Sequence, residues 1–447
     1  MIIKDLLKWS VILSQSSKDQ DLLESMYMVT VRLIGLFLFY SYVKGYPIKF
    51  FGEVKDRVLR DAYKAGLLTA RVLAIRDVIE TLKRIPLELI YETSYEDRID
   101  IVARGRIDFP KTIALYGSGR LLIVSSINKR LYDSPETLLL ANIALEIKEI
   151  IEDLEENVSA ENYLLNKIIG LILDDLRETY SSVSWITELA GIVEREDYDS
   201  LLQLCDTVLE RGNYGYYFLA KSFKQYLQTI MNIGEEIAVH GKPEHTGSIV
   251  GVELERIFEI YTHYLTTYAL LSKLERIGVK EIIVDHKGEF IEINVEENGE
   301  NISYRIYHSK GFSDKSWLTR NKQVIGGPEA GRPDITITIN KGDGEEIVFV
   351  MDAKQRRSLE DIYRELRIVL GYMNEYNVDK GAIIYNATYT QKTNNQHKPI
   401  PINDKNKYVA IIPLNFRKIN KIKELDQLIN EHINIAEENI IEKIKQA

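Results

Sequence analysis

The chain of 447 residues contains a single cysteine, Cys205. An intramolecular disulfide and a zinc site built from cysteines are therefore both excluded, and this cysteine usage suits a reducing cytoplasm. Cys205 ends the apolar stretch Leu201–Cys205, which predicts a small buried side chain in a helix. The first residues lack the basic start and the small-residue cleavage site of a signal peptide, so we expect no secretory leader.

Long apolar runs are also scarce. The most apolar segment, 26–43, is interrupted by Arg32, which leaves only 33–43 without a charge. A helix needs about 20 apolar residues to cross a bilayer. The segment therefore predicts a buried helix of a cytoplasmic protein rather than a membrane span.

The net charge is -10, with 45% apolar and 28% charged residues, a composition typical of a globular protein with two or three domains. An acidic total argues against a protein that coats nucleic acid non-specifically, but local basic patches still allow binding. One candidate patch spans Lys392–Lys423, where the single acid is Asp404. It is either a solvated face or a surface for nucleic acid.

Periodicity predicts an α/β protein with a largely helical N-terminal half. The predicted divisions are a helical region at 1–92, a small β-rich insert at 93–127, a helical domain at 128–244 and an α/β domain at 245–447. Ser134-Pro135-Glu136 is typical of a helix start. The last division follows the linker-like segment 240–247, which holds glycine and proline. The α/β domain is expected to contain a mixed sheet flanked by helices.

Two predicted strands, 334–340 and 347–353, flank a turn around Asp343. A hairpin centred there places Asp334 opposite Asp352, with their Cβ atoms about 5 Å apart on one face. Lys354 lies two residues beyond Asp352 and shares that face. The strand 347–351 is continuously apolar, which predicts a central position, and charges at the end of such a strand usually carry function or are paired.

Two carboxylates that face each other repel unless a cation lies between them. Mg²⁺ and Mn²⁺ prefer such hard oxygen ligands, and a nearby lysine can polarise water or meet a phosphate. The constellation therefore indicates metal-dependent hydrolysis of phosphodiesters. A structural salt bridge between Lys354 and one aspartate is the alternative.

The segments 331–335 (GRPDI) and 351–356 (MDAKQR) resemble motifs of the McrC-like and LlaJI-like restriction nucleases, which belong to the PD-(D/E)XK superfamily. The helical segment 257–261 (IFEIY) is similar to a further motif of that family. The segment 361–364 resembles the opening of the helix that follows the lysine in that family, and weaker similarity is found upstream at 104–112 and 132–136. Departures include Gln355, where tyrosine is usual, and Arg364, where lysine or glutamine is frequent.

The resemblance implies a restriction-endonuclease-like fold and a DNA endonuclease in a restriction or defence setting, with a separate AAA+ NTPase as a partner. It implies that Asp334, Asp352, the carbonyl of Ala353 and Glu259 hold Mg²⁺ or Mn²⁺, with Glu255 in reserve, and that Lys354 acts on the water. The residues expected to contact nucleic acid are Arg332, Gln355, Arg356, Arg364 and Lys322. A nuclease acting on RNA or on DNA ends in repair, and a non-catalytic DNA-binding or scaffold subunit, remain as alternatives.

Three other sequence patterns give weaker indications of function. Gly326 and Gly331 have the spacing of a phosphate-binding loop, but Arg332-Pro333 replaces the required Lys-Ser/Thr. In the linker-like segment, Pro243 prevents His240, Glu244 and His245 from sharing a helix face, so we expect no metal site there. The aromatic and basic residues of 304–322 suit either an ordinary edge strand with a solvated loop or a grip on a nucleic-acid backbone.

Overall fold

The computed structural model describes residues 17–52, 57–84, 92–102, 106–131, 134–156, 163–240, 254–286, 289–316, 331–342, 344–355, 359–388, 399–404 and 407–444. The linker expected at 240–247 lies almost wholly outside these ranges, as does the predicted boundary at 244. The described residues form an α/β protein with a mixed sheet and a largely helical N-terminal half, as predicted.

The strands are, in chain order, β1 (Ile48–Phe51), β2 (Glu92–Asp100), β3 (Arg106–Ile107), β4 (Ile123–Leu131), β5 (Val279–Asp285), β6 (Phe290–Glu297), β7 (Glu300–His308), β8 (Ile335–Asn340), β9 (Glu345–Lys354), β10 (Lys380–Asn386), β11 (Ile400–Asp404) and β12 (Lys407–Leu414).

The α-helices are α1 (Ser17–Val43), α2 (Arg57–Arg84), α3 (Phe109–Gly117), α4 (Pro135–Glu156), α5 (Tyr163–Ser181), α6 (Tyr198–Arg211), α7 (Tyr214–His240), α8 (Leu254–Leu274), α9 (Leu359–Tyr376), α10 (Ile422–Ala436) and α11 (Glu442–Ile444). A 3₁₀ helix covers Ser184–Gly191, and a π-helical turn covers Glu437–Ile441 between α10 and α11.

The chain packs as two compact units, neither of which is continuous in sequence. One comprises Met1–Leu73, Asn157–Asp175 and Asn232–Ala447, and the other comprises Ala74–Glu156 and Leu176–Met231. The sequence groups 1–92 as a region of its own. In the structure β1 instead pairs in parallel with β5, and α1 packs against α8. Local periodicity identifies an apolar face but not the surface that covers it, so the sequence pattern does not indicate this grouping.

In the first unit, nine strands of the described residues form one mixed sheet in the order β1-β5-β6-β7-β8-β9-β10-β12-β11. From β5 to β9 each strand pairs antiparallel with the next, whereas β9, β10 and β12 are parallel to one another. Parallel neighbours end at the same sheet edge, so the carboxyl ends of β9 and β10 lie side by side. Helix α8 packs against β6, β7 and β9, and α9 packs against β9 and β10.

Helix α1 is longer than the apolar run that predicted it. Asp21–Val43 is long and apolar enough to span a membrane by length and composition, but 83% of its most apolar window is buried within the protein. Arg32 in this helix is also buried and forms an ion pair with Asp426 at 2.8 Å. The predicted buried helix is confirmed, and its charge is paired rather than exposed to an apolar surrounding.

The second unit contains a three-stranded sheet in the order β2-β4-β3 and the helices that follow it. The sequence predicted strands there but not α3, which begins after the N-cap Asp108 and ends at Gly117, before Gly119 with its positive φ. Thr112 of α3 donates to and accepts from the main chain of Val124, which ties the helix to β4. The predicted start of α4 is confirmed, because the Ser134 hydroxyl accepts from the amide of Thr137 at 3.3 Å. Cys205 is buried, as predicted.

Candidate active site

The hairpin of β8 and β9 has the predicted register where it matters for the site. Ile335 pairs with Met351, so the next positions outward along the two chains are Asp334 and Asp352. Nearer the turn, an irregularity between Ile337 and Thr338 shifts the pairing by one residue. The prediction of a hairpin symmetric about Asp343 is therefore wrong at the turn, because a bulge takes up one residue of β9.

Lys354 contacts both aspartates. Its Nζ lies 3.0 Å from Asp352 Oδ2 and 3.2 Å from Asp334 Oδ2. Asp334 Oδ2 also accepts a hydrogen bond from the main-chain amide of Ala353 at 2.8 Å. The predicted convergence of two acids and one lysine at the end of the central strand is thus present, and main-chain geometry fixes one of the acids.

Asp352 is the most deeply buried group of the three. Its side chain is 2% exposed, and burial together with the nearby Asp334 charge raises the pKa of its carboxyl to about 8. Lys354 opposes that shift without cancelling it. Although Oδ2 forms the ion pair with Lys354, it accepts no properly angled hydrogen bond from the described residues. The carboxylate therefore lacks sufficient compensation for its burial.

Lys354 remains the charged member of the cluster. Burial alone would lower the pKa of its ammonium group, but Asp334 and Asp352 outweigh burial and raise that pKa above its ordinary value. A lysine held protonated beside two carboxylates is a fixed positive charge, which suits contact with a phosphate.

Glu259 approaches the site from α8. Burial and the charge of Asp334 raise the pKa of its carboxyl, while Arg256 and Lys354 oppose the shift. Glu259 Oε2 accepts a hydrogen bond from Arg256 Nη1 at 2.9 Å, and the same nitrogen lies 3.0 Å from His308 Nε2. An arginine can only donate, so this nitrogen of His308 is the acceptor. Burial lowers the pKa of His308 well below its ordinary value, in agreement with a neutral ring.

The sequence predicts Glu259 as a site residue but gives no indication of its neighbours Arg256 and His308. Arg256 stands one helical turn before Glu259, a spacing that allows an ion pair on one face of a helix. His308 lies at the end of β7, and the amide of the next residue, Ser309, donates to the carbonyl of Asp334 at 2.8 Å. That placement depends on strand order, which the sequence did not reveal.

The chain enters the site through a segment anchored to α9. Glu375 accepts a hydrogen bond from the amide of Gly331 at 3.0 Å, and Tyr376 donates to the carbonyl of the same glycine. Tyr372 donates to the carbonyl of Arg332 at 3.2 Å. A Cβ on Gly331 would lie 2.7 Å from both Glu375 and Tyr372, so only glycine permits this approach. These anchors position the residues that lead into Asp334.

The residues predicted to contact nucleic acid are only partly placed. Gln355 is half-buried beside the site, Arg332 is exposed two residues before Asp334, and Arg364 is exposed on α9. Lys322 and Arg356 lie outside the described residues, as do Lys392, Lys398 and Lys405 of the basic segment and Glu244 and His245 of the linker. Within the described part of the basic segment, Arg417 pairs with Glu431 and Lys418 with Asp21, which favours a solvated face there.

The donor set can be compared with what a hard divalent cation requires. Asp334 and Asp352 supply carboxylate oxygen, and the buried Asp352 Oδ2 without a hydrogen bond is an atom that a cation would satisfy. Among the described residues, no group of three or more His, Cys, Asp or Glu side chains is arranged to hold a metal ion. The expected third carboxylate ligand, Glu259, is instead paired with Arg256. The described side chains therefore fit a site with two carboxylate ligands, Asp334 and Asp352.

No protein-family model matches this chain, and no curated protein matches it. Among solved structures, it is similar to a chain of a refined half-complex from the tetradecameric assembly of Thermococcus gammatolerans McrB AAA+ hexamers with bound McrC. The similarity covers 90% of this chain and 75% of that chain, with 12% identity and a TM-score of 0.24. A similarity of that size leaves the function to be argued from the residues of the site.

Proposed function

We propose that the chain is a metal-dependent DNA endonuclease of the PD-(D/E)XK type that acts in a restriction or defence setting. The observation that carries the proposal is the end of β9, where Asp352 is buried beside Asp334 and Lys354 without full compensation of its charge. A protein loses stability by holding two acids in this way, so such an arrangement favours a functional role over a purely structural one.

Asp334, Asp352 and the carbonyl of Ala353 would hold Mg²⁺ or Mn²⁺. When bound, such an ion neutralises charge that develops on the phosphate and lowers the pKa of water. Lys354 meets the phosphate or the attacking water with a fixed positive charge. Glu259 faces the same cluster from α8 and supports the water shell. Arg256 holds its carboxylate in place, and His308 in turn accepts a hydrogen bond from Arg256.

The proposal extends to two further features. The first is a separate AAA+ NTPase as a partner, which rests on the motif resemblance of 331–335 and 351–356. The second is a cytoplasmic location without membrane attachment, in line with the burial of α1.

One specific contact favours the non-catalytic alternative. Lys354 bridges both aspartates, which is also what a structural salt bridge looks like. A scaffold or DNA-binding subunit that retained the fold would keep this ion pair but would not bind a divalent cation.

The test is cleavage of supercoiled plasmid, linear duplex DNA and single-stranded RNA by the full chain, with Mg²⁺, Mn²⁺ or EDTA. The variants are Asp352→Asn and Lys354→Met, and the matched control is Glu346→Gln, which changes an exposed acid on the same strand. We expect metal-dependent plasmid cleavage that both site variants lose and the control keeps. Cleavage that survives both site variants would place the activity elsewhere.

If the wild type does not cleave, calorimetry with Mn²⁺ separates the remaining alternatives. Binding that Asp352→Asn abolishes would show a competent site that lacks its partner protein. Absence of binding would favour the scaffold.

If the wild type cleaves but prefers RNA, or linear over supercoiled DNA, the RNA or end-processing alternative is favoured.

A further inference from the structure

Asn386 lies at the carboxyl end of β10, beside the end of β9. Tyr385 pairs with Lys354 in parallel register, so Asn386 stands next to Gln355. Asn386 is 1% exposed, and its Nδ2 donates a hydrogen bond to Gln355 Oε1 at 2.9 Å. A buried amide thus contacts the residue that directly follows the site lysine.

The direction of this hydrogen bond is fixed by main-chain donors. The amide of Thr388 donates to Asn386 Oδ1 at 3.0 Å, and the Thr388 hydroxyl donates to the same oxygen at 2.6 Å. That hydroxyl in turn accepts from the amide of Phe416 at 2.9 Å. Because a main-chain N–H can only donate, the atom of Asn386 that faces Thr388 must be its oxygen.

The opposite end of the Asn386 amide is therefore its NH₂ group. One hydrogen is directed to Gln355, and Met26 Sδ lies 3.7 Å from the same nitrogen as a weak acceptor. Both polar atoms of the Asn386 side chain thus have partners, so the amide cannot rotate to exchange the positions of its oxygen and its nitrogen. Consequently, the Gln355 atom it contacts must be the carbonyl oxygen.

Because its oxygen is turned toward Asn386, Gln355 directs its NH₂ group away from that contact, and no other described residue accepts a hydrogen bond from this NH₂ group. We propose that Asn386 is a positioning residue that orients Gln355 so that Gln355 presents N–H donors to a phosphate oxygen of the bound nucleic acid. This inference rests on the proposed function. An NH₂ group presented at the end of β9 suits an anionic acceptor better than donor groups on a base edge.

The experiment measures binding of the full chain to a fluorescein-labelled DNA duplex by anisotropy in EDTA, where the proposed chemistry does not proceed. Gln355→Met, which keeps the length but removes both polar groups, should weaken binding about tenfold, the low end for a hydrogen bond to a charged group. Gln427→Met makes the same change at an exposed position of α10 and should leave binding unchanged.

The role of Asn386 is tested by a double-mutant cycle. Asn386→Ala should weaken binding about fivefold in the wild-type background but leave it unchanged in the Gln355→Met background, because the asparagine acts only through the glutamine. Thermal unfolding of each protein checks that the variants fold. If Asn386→Ala does not fold, the Gln355→Met variant still tests the contact of Gln355 with DNA, because Gln355 is only half-buried.

Unchanged binding by Gln355→Met, or equal losses from Asn386→Ala in both backgrounds, would overturn the inference. Binding in EDTA and cleavage in Mg²⁺ are scored separately, so a nuclease with a passive Gln355 is distinguishable from a protein that is not a nuclease. A wild type that does not bind the duplex would overturn the inference as well.

Discussion

The affinity of the site for a divalent cation should depend steeply on pH. Burial and Asp334 raise the pKa of Asp352 to about 8, so its carboxyl is mainly protonated at neutral pH before a cation binds. A cation needs the ionised form and must displace the proton. Affinity for the cation therefore rises with pH up to the raised pKa and levels off above it.

The expected change in cation affinity with pH follows from the ionised fraction of Asp352. With a pKa of about 8, roughly a tenth of the Asp352 carboxyls are ionised at pH 7 and roughly a hundredth at pH 6. Affinity should therefore fall at least about tenfold from pH 8 to pH 6, and binding at pH 7 should release most of one proton per ion.

Calorimetry with Mn²⁺ in buffers of different ionisation enthalpy measures both quantities. Asp334→Asn provides the matched comparison, because removing that charge should shift the pH dependence to lower pH while weakening binding at high pH. Equal affinity at pH 6 and pH 8 with no proton release would refute the reasoning, since Asp352 would then be ionised already or would not be a ligand.

Three further outcomes are expected. Lys354→Met should lower the single-turnover cleavage rate at least about a hundredfold, because it removes a charge near the reacting phosphate; a rate close to that of wild type would assign the lysine a structural role. Gly331→Ala should lower the free energy of unfolding by about 1–3 kcal/mol, because its Cβ would approach Glu375 and Tyr372 to 2.7 Å, and calorimetric scanning should detect the loss. Ser134→Ala should cost about 1 kcal/mol by removing the N-cap of α4, seen as a lower unfolding temperature, whereas an unchanged temperature would show that the cap contributes little.

The sequence was sufficient for features encoded by local pattern. The apolar run of β9 predicted a central strand, and Ile347 to Ala353 are all buried. The two-residue period placed Lys354 on the face of Asp352, and the 3.0 Å contact agrees with it. The helix start at Ser134 was also predictable, because a cap depends on only a few neighbouring residues.

Tertiary structure decided what depends on residues far apart in the chain. Strand order brought His308 beside the site and Asn386 beside Gln355, and no spacing in the sequence indicates either neighbour. The bulge in the hairpin also escaped prediction, because turn geometry sets register as much as apolar pattern does. Sequence alone therefore determined which groups could do chemistry at the end of β9. Packing determined which of them are buried, paired or oriented, because burial and hydrogen-bond direction arise only when distant segments meet.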